Sequence, residues 1–192
     1  MFRELLVRAV SGFCKLSELQ IDQLEQHYNL LQRWNRVLNL TRIEAVEDVV
    51  ERHFGESLFL ASRLPEGALR IADVGSGAGF PGIPVAIARP ECSVTLVESH
   101  QRKAVFLKEA SRGLSNVQVV ARQFEDVPGP FDWVVSRAVR RDEVEAASKG
   151  KSSGVALLVA GDAVGSDIPM PWGDRRKLVM FHVKPLGEIT ME

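Results

Sequence analysis

The stretch Asp73-Val-Gly-Ser-Gly-Ala-Gly-Phe-Pro-Gly-Ile-Pro84 constrains this chain more than any other. Ala68-Leu-Arg-Ile-Ala-Asp-Val74 runs ahead of it, short and largely apolar, and reads as a buried strand. Val85-Ala-Ile-Ala-Arg89 follows and reads as a short helix that stops at Pro90. The unit is therefore strand, glycine turn, helix. Gly75, Gly77 and Gly79 let the backbone turn tightly and approach a ligand with no Cβ in the way. Pro81 and Pro84 suit a first helical turn, where their missing N–H groups would lack a partner anyway. Such a turn makes a nucleotide-sized cradle at the carboxyl end of a strand.

A second strand, Ser93-Val-Thr-Leu-Val97, is followed by Glu98. An acid about 20 residues past the glycines, at the end of the next strand, is placed to bind ribose hydroxyls. The alternative is a plain tight turn and a solvated strand end. A dinucleotide fold seats pyrophosphate on the helix N-terminus through a glycine gap. Here the glycine spacing is compact and an acid, Asp73, leads it. That form resembles motif I of class I S-adenosylmethionine-dependent methyltransferases. The resemblance implies that the cofactor's amino-acid end packs along the loop, with Asp73 facing its amino group directly or through water. Otherwise Asp73 anchors the amides of its own turn.

The remaining pattern alternates strands and helices. Residues 1–16 read as a short helix or a loosely docked arm. Ser17-Glu-Leu-Gln20 has the form of a capping box, and Leu24, Tyr28, Leu31, Val37 and Leu38 recur near helical spacing. A helix from Glu18 to Leu38 is expected, with Asn39 near its C-cap. Ile43, Val46, Val49 and Val50 suggest another helix, with Gly55 a break before Ser57–Ser62 and Pro65 the end. Downstream, a helix is expected over Gln101–Arg112 with Gly113 at its C′ position, then strands at Asn116–Ala121, Phe131–Ser136, Gly154–Ala160 and Lys177–Val183. Asp142–Ala147 reads as a short helix, and Gly161–Asp174 as a loop. This alternation predicts a mostly parallel sheet with helices on both faces, and a ligand rim formed by Asp73–Phe80, Glu98, Ala121–Glu125 and Ser136–Arg141.

Composition narrows the partners. The 192 residues suit one domain, and a formal net charge of −1 gives no global pull toward nucleic acid or membrane. A nucleic-acid partner must meet a local patch, for which Arg102, Lys103, Lys108, Arg112, Arg140 and Arg141 are candidates. Their alternative is an ordinary solvated face. No uncharged apolar run approaches the ~20 residues that span a bilayer, and the N-terminus has no signal-peptide core. Cys14 and Cys92 show no metal-like spacing, so no metal, no membrane and a cytoplasmic location are expected.

Three further stretches converge with the glycine block on one family. Trp34-Asn-Arg-Val-Leu-Asn-Leu-Thr41 resembles W-N-x-x-x-N-L-T, and His53-Phe-Gly-Glu-Ser-Leu58 resembles H-x-x-D-S-L. The glycine block looks like D-V-G-T/S-G-x-G-[FL]-P-G-I-P, and Phe131-Asp-Trp-Val-Val-Ser-Arg-Ala138 looks like F-D-x-V-x-S-R-A. These are motifs of the glucose-inhibited division protein B family, the small-subunit ribosomal RNA methyltransferase G family, and the resemblance spans roughly residues 17–184. It implies an α/β fold, a class I methyltransferase Rossmann-like three-layer sandwich. Residues 1–66 would be an N-terminal helical extension and residues 67–192 the core of one methyltransferase domain. It also implies transfer of methyl from S-adenosylmethionine to N7 of a guanine in 16S ribosomal RNA, free or in a small-subunit particle, by a monomer.

By the same resemblance, the expected cofactor-binding residues are Gly75, Phe80, Gln123, Phe124 and Arg137, joined by Asp73, Gly77 and Glu98 from the reading of the glycine turn and second strand. Gln123-Phe124 departs from the family's Ala-Glu-like pair; Glu125 would replace a carboxylate contact if one is needed there. Glu56 stands where the family has Asp. Ser148-Lys-Gly-Lys-Ser-Ser-Gly154 and Val159-Ala-Gly161 lack the family's K-G after the fifth strand. A guanine N7 lone pair needs no deprotonation, so the chemistry asks for placement and electrostatics. Arg137 and Arg122 are the candidate catalytic residues, because an Arg fork suits guanine O6 and N7. His53 reads as a hydrogen-bonded core residue or a site residue, and Asn39 and Thr41 as caps or site residues. A non-catalytic adenosylmethionine- or RNA-binding protein is the alternative. An NAD-dependent oxidoreductase is a weaker one, since no hydride-transfer His or Tyr-Lys pair is evident.

Overall fold

The computed structural model describes residues 1–137, 139–173 and 175–183. Ala138, which ends the F-D-W-V-V-S-R-A stretch, lies outside them, as do Asp174 at the end of the expected loop and the chain after Val183. Seven strands form one sheet: β1 (Arg70–Val74), β2 (Ser93–Val97), β3 (Val117–Val120), β4 (Phe131–Arg137), β5 (Ser152–Ala160), β6 (Ile168–Pro169) and β7 (Arg176–His182). Their order is β3-β2-β1-β4-β5-β7-β6. The first five run parallel, and β7 runs antiparallel to both β5 and β6. β6 lies within the segment expected to be a bare loop.

Alternation along the strands divides the core into two faces. Ile71, Leu96, Trp133, Val135, Ala156 and Leu158 face one cluster, which also takes in the N-terminal helices. Ala72, Val97, Val134, Val155 and Leu157 face the other, covered by Val144 of α7 (Arg141–Ser148). The result is a three-layer sandwich.

Local signals explain the helix ends. In α2 (Glu18–Leu38), the Ser17 hydroxyl accepts from Gln20 N–H and the Gln20 side chain accepts from Ser17 N–H at 2.9 Å, the expected capping box. Asn39 closes the helix in the left-handed region with φ +47°. The first segment is a docked helix rather than a loose arm: α1 (Phe2–Val10) buries Phe2, Leu6 and Val10. Burying one such side chain contributes roughly 1.5–3 kcal/mol.

Gly55 does not break the next helix. α3 (Val46–Val49) runs into a π-helical segment, Val50–Gly55, and on into α4 (Glu56–Arg63). The glycine serves packing, since a Cβ there would lie 3.1 Å from the Trp172 ring. α5 (Gly82–Ala88) begins three residues before the expected Val85, inside the glycine block. α6 (Gln101–Ala110) ends at Ser111, and Gly113 is not among the left-handed glycines, so it is no C′ cap. No helix among the described residues is long and apolar enough to cross a membrane.

Candidate functional site

Sheet register builds the rim. Val74 pairs with Val97 on one side and with Ser136 on the other, and Val97 pairs with Val120. The next residue of each strand therefore emerges at one level: Gly75, Glu98, Arg137 and Ala121.

The glycine loop leans on β2, with Gly75 and Ser76 N–H groups donating to the Val97 carbonyl at 3.0 and 3.1 Å. Glu98 holds it from the side, accepting Gly77 N–H at 2.9 Å and His100 N–H at 2.8 Å. Each carboxylate oxygen keeps acceptor capacity for a ligand hydroxyl. Gly79 must be glycine twice over: its φ is +87°, and a Cβ would meet the Ile83 side chain and the His27 ring.

Asp73 lies beneath the loop, fully buried. One oxygen accepts Gly82 N–H at 3.0 Å, so it anchors the turn. The other, Oδ1, is buried with no partner among the described residues. Burial raises the carboxyl to about 7, against the opposing Gly82 hydrogen bond.

A cleft of about 600 Å³, counting space open to solvent, opens between the loop and α7. Gly75, Glu98, Arg122, Gln123, Phe124 and Glu125 line it, with Val139, Glu143, Val144 and Ala147 opposite. Gln123, Glu125 and Arg122 are exposed there, while the Phe124 side chain is buried. Lys151 fixes the Phe124 turn by donating to the Phe124 and Val127 carbonyls, and sits 5.3 Å over the Phe124 ring. Of the expected site residues, this cleft thus gathers Gly75, Glu98, Arg122, Gln123 and Phe124. Gly77 stays on the loop, tied to Glu98.

Phe80 and Arg137 fall elsewhere, against the N-terminal helices. The Phe80 ring stacks on His53 at 4.7 Å and on His27 at 4.8 Å. Arg137 lies 5.5 Å over the same ring, and its Nη1 donates to the Arg52 carbonyl at 2.6 Å and to His53 Nδ1 at 2.5 Å. Because Arg137 is the donor, His53 Nδ1 is an acceptor and Nε2 carries the proton to Thr41 Oγ1 at 2.8 Å. Asn35 in turn clamps the Thr41 backbone through two hydrogen bonds of 3.0 and 2.8 Å. The four sequence stretches meet in this chain of contacts. Burial, and then the Arg137 charge, push His53 down to about 2; burial lowers Arg137 to about 10, still a cation at neutral pH.

Glu56 is fully buried and grips Arg176 through both oxygens, Nη2 to Oε2 at 2.7 Å. Arg102, Lys103 and Lys108 ride on α6, whereas Arg140 and Arg141 stand at the start of α7, Arg140 paired with Asp142.

Val139 falls within the expected rim Ser136–Arg141, whereas sequence reasoning missed His27 and the α7 wall. His27 sits three residues after Leu24 on the buried stripe of α2, and a histidine on such a stripe was the available signal. Its Nε2 meets the Ala78 carbonyl of the glycine loop, its Nδ1 has no partner among the described residues, and burial lowers it to about 4.

A family model described as rRNA small subunit methyltransferase G (GidB) matches residues 20–168. A ribosomal RNA small subunit methyltransferase G from Nitrosospira multiformis is 46% identical over 127 residues, 64% of this chain and 58% of that protein. One from Pelotomaculum thermopropionicum is 35% identical over 206 residues, covering 90% of this chain and 85% of that protein. The chain spans less than two thirds of the length of the Nitrosospira relative. The crystal structure of a SAM-dependent methyltransferase from Aquifex aeolicus superposes with a TM-score of 0.56 at 13% identity, over 71% of this chain and 93% of that one. It shares the fold.

Proposed function

The chain belongs to the rRNA small subunit methyltransferase G family, and from that premise we propose that it transfers a methyl group from S-adenosylmethionine to N7 of a guanine in 16S ribosomal RNA. We read residues 1–192 as one methyltransferase domain, with 1–66 a helical extension and 67–192 the core, acting as a monomer in the cytoplasm without a metal. The substrate is the RNA itself or the small-subunit particle.

The observation that carries this reading is the cleft between Gly75, Glu98 and Arg122–Glu125, beside a loop anchored on Asp73. The residues fit the cofactor. Glu98 has lone pairs for ribose hydroxyls. The unpartnered Asp73 Oδ1 offers an acceptor for an ammonium or a bridging water. Val144 and Ala147 supply an apolar wall for a flat base.

When bound, S-adenosylmethionine would supply a sulfonium methyl group to the N7 lone pair and leave as its neutral thioether. N7 carries no proton, so no general base is required. The protein's work is placement. Arg137 is held rigid by Arg52, His53 and Phe80, and keeps a cation at the end of β4. Arg122 stands on the outer wall of the cleft.

The test is transfer of labelled methyl to 30S particles and to naked 16S rRNA, with N7 products located by borohydride–aniline strand cleavage. Label on neither substrate defeats the reading; label at another atom defeats the N7 assignment.

A further inference from the structure

We propose that a second cleft, over the carboxyl ends of β4 and β5, seats the acceptor: a purine nucleotide of an RNA strand, with its base on an apolar floor and its phosphates on an arginine rim. The inference rests on the transfer reading above. The cleft measures about 850 Å³, again counting space open to solvent. Ile43, Val139 and Leu158–Ala160 form its floor, and Arg52, Arg137, Arg140 and Arg176 stand around it. Register explains the rim: Arg137 pairs with Leu158 and Arg176 pairs with Ala160, so two arginines flank the end of β5.

Charge decides which ligand enters which cleft. Among the described residues the first is lined by Glu98, Glu125 and Glu143 against one cation, Arg122, which suits a sulfonium ligand with an ammonium group. Among the described residues the second is lined by four arginines and no carboxylate, which suits a polyanion. The arginines are not equally committed. Arg176 is held by buried Glu56, and Arg140 by Asp142 with Nη2 at 2.6 Å. Arg52 is exposed and its guanidinium makes no ion pair among the described residues. It is the charge most available to a phosphate.

Position supports the same assignment. Val139 lines both clefts and is the partition between them. It lies against the glycine loop, since a Cβ on Gly75 would come within 3.0 Å of Val139 Cγ2. A methyl group displaced in line needs its acceptor next to its donor, and the two clefts share a wall. Beyond Ile43, the chain runs back through Arg42 and Thr41 into a further polar hollow lined by Arg36 and Arg42 with Glu44, so the strand leaving the base seat meets two more cations and one carboxylate.

The test uses the full chain, an in-vitro transcribed 16S rRNA and two variants. Arg52→Glu reverses an exposed rim charge; Ala160→Trp fills the floor at an exposed strand end. Adenosylmethionine affinity, measured by calorimetry, is expected to stay within twofold of wild type in both. Arg52→Glu should weaken RNA binding at least tenfold and lower the slope of log affinity against log salt by about one. Ala160→Trp should slow single-turnover methyl transfer about a hundredfold. Wild-type RNA affinity, salt slope and transfer rate in the two variants would overturn the assignment while leaving the transfer reading intact. RNA binding that is weakened in Arg52→Glu, with no methyl transferred by wild type to this RNA or to small-subunit particles, would support the cleft and sink the transfer reading. A wild type that neither binds nor methylates this RNA or small-subunit particles overturns both.

Discussion

His27 Nε2 stands 2.9 Å from the carbonyl oxygen of Ala78, so the second helix holds the glycine loop from beneath. The contact is made at a cost, because Nδ1 is buried without a partner among the described residues. An apolar residue would avoid that cost but would leave the loop carbonyl unpaired.

His27→Gln keeps a donor close to the Nε2 position, whereas His27→Leu removes it. We expect His27→Leu to weaken adenosylmethionine binding about tenfold, with faster amide hydrogen exchange at Gly79 and Phe80. His27→Gln should restore most of both. Calorimetry and hydrogen exchange check this; equal behaviour of the two variants would refute a positioning role.

The same residue should mark the stability–pH profile. Its folded pKa of about 4 lies below the usual 6.5, so its contribution is complete above pH 6.5 and lost as pH falls toward 4. At pH 5 the loss is roughly 2 kcal/mol. His53 acts in the same direction, its pKa lowered to about 2. Asp73 opposes both, since its raised pKa of about 7 makes the folded state gain stability as pH falls through that value. The difference between wild type and His27→Gln isolates the first effect. It should shift by about 2 kcal/mol between pH 7.5 and pH 5 in urea unfolding. A pH-independent difference would refute it.

Gly82 is the glycine with the least room. A Cβ there would fall on the Leu96 side chain and on the Asp73 carboxylate that anchors the turn. Gly82→Ala should cost about 3 kcal/mol in thermal or urea unfolding. At Gly77, by contrast, the nearest atom to a Cβ is 3.7 Å away, and the obstacle is φ +55°. Gly77→Val should retain the global fold, distort the loop and abolish adenosylmethionine binding. Wild-type affinity in a folded Gly77→Val protein would refute the placement.

Because burial and the Arg137 charge lower His53 to about 2, it stays neutral and does not titrate in the working range. Single-turnover methyl transfer at saturating RNA and cofactor, from about pH 6 to 9, should show no limb that vanishes in His53→Ala. Arg137→Ala should lower the rate without changing the shape of that profile, because it leaves the Arg52 carbonyl and His53 Nδ1 without their donor. A neutral limb lost with His53 would instead reveal a base, and would favour a target atom other than guanine N7.

Elements with local signals were legible in the chain. The capping box at Ser17 and the left-handed turn at Asn39 bound α2 at the residues read from sequence, and the β-branched run of β2 has the same limits. Gly55 and Gly113 show where such reading fails. A glycine marks a turn, a break or a close approach, and only Trp172, more than a hundred residues away, makes Gly55 a packing residue.

The sequence by itself determined the strand–turn–helix unit, the acid after β2 and the family motifs, because each depends on backbone preferences over a few neighbouring residues. Which motif residue faces which space was decided only in three dimensions. Phe80 and Arg137 turn toward the N-terminal helices, Gly75 and Glu98 turn toward the first cleft, and Val139 divides that cleft from its arginine-lined neighbour. The physical reason is that side-chain surroundings come from sheet register and helix docking. These join residues such as Arg137 and His53, or Arg176 and Glu56, whose separation along the chain leaves no trace in local sequence.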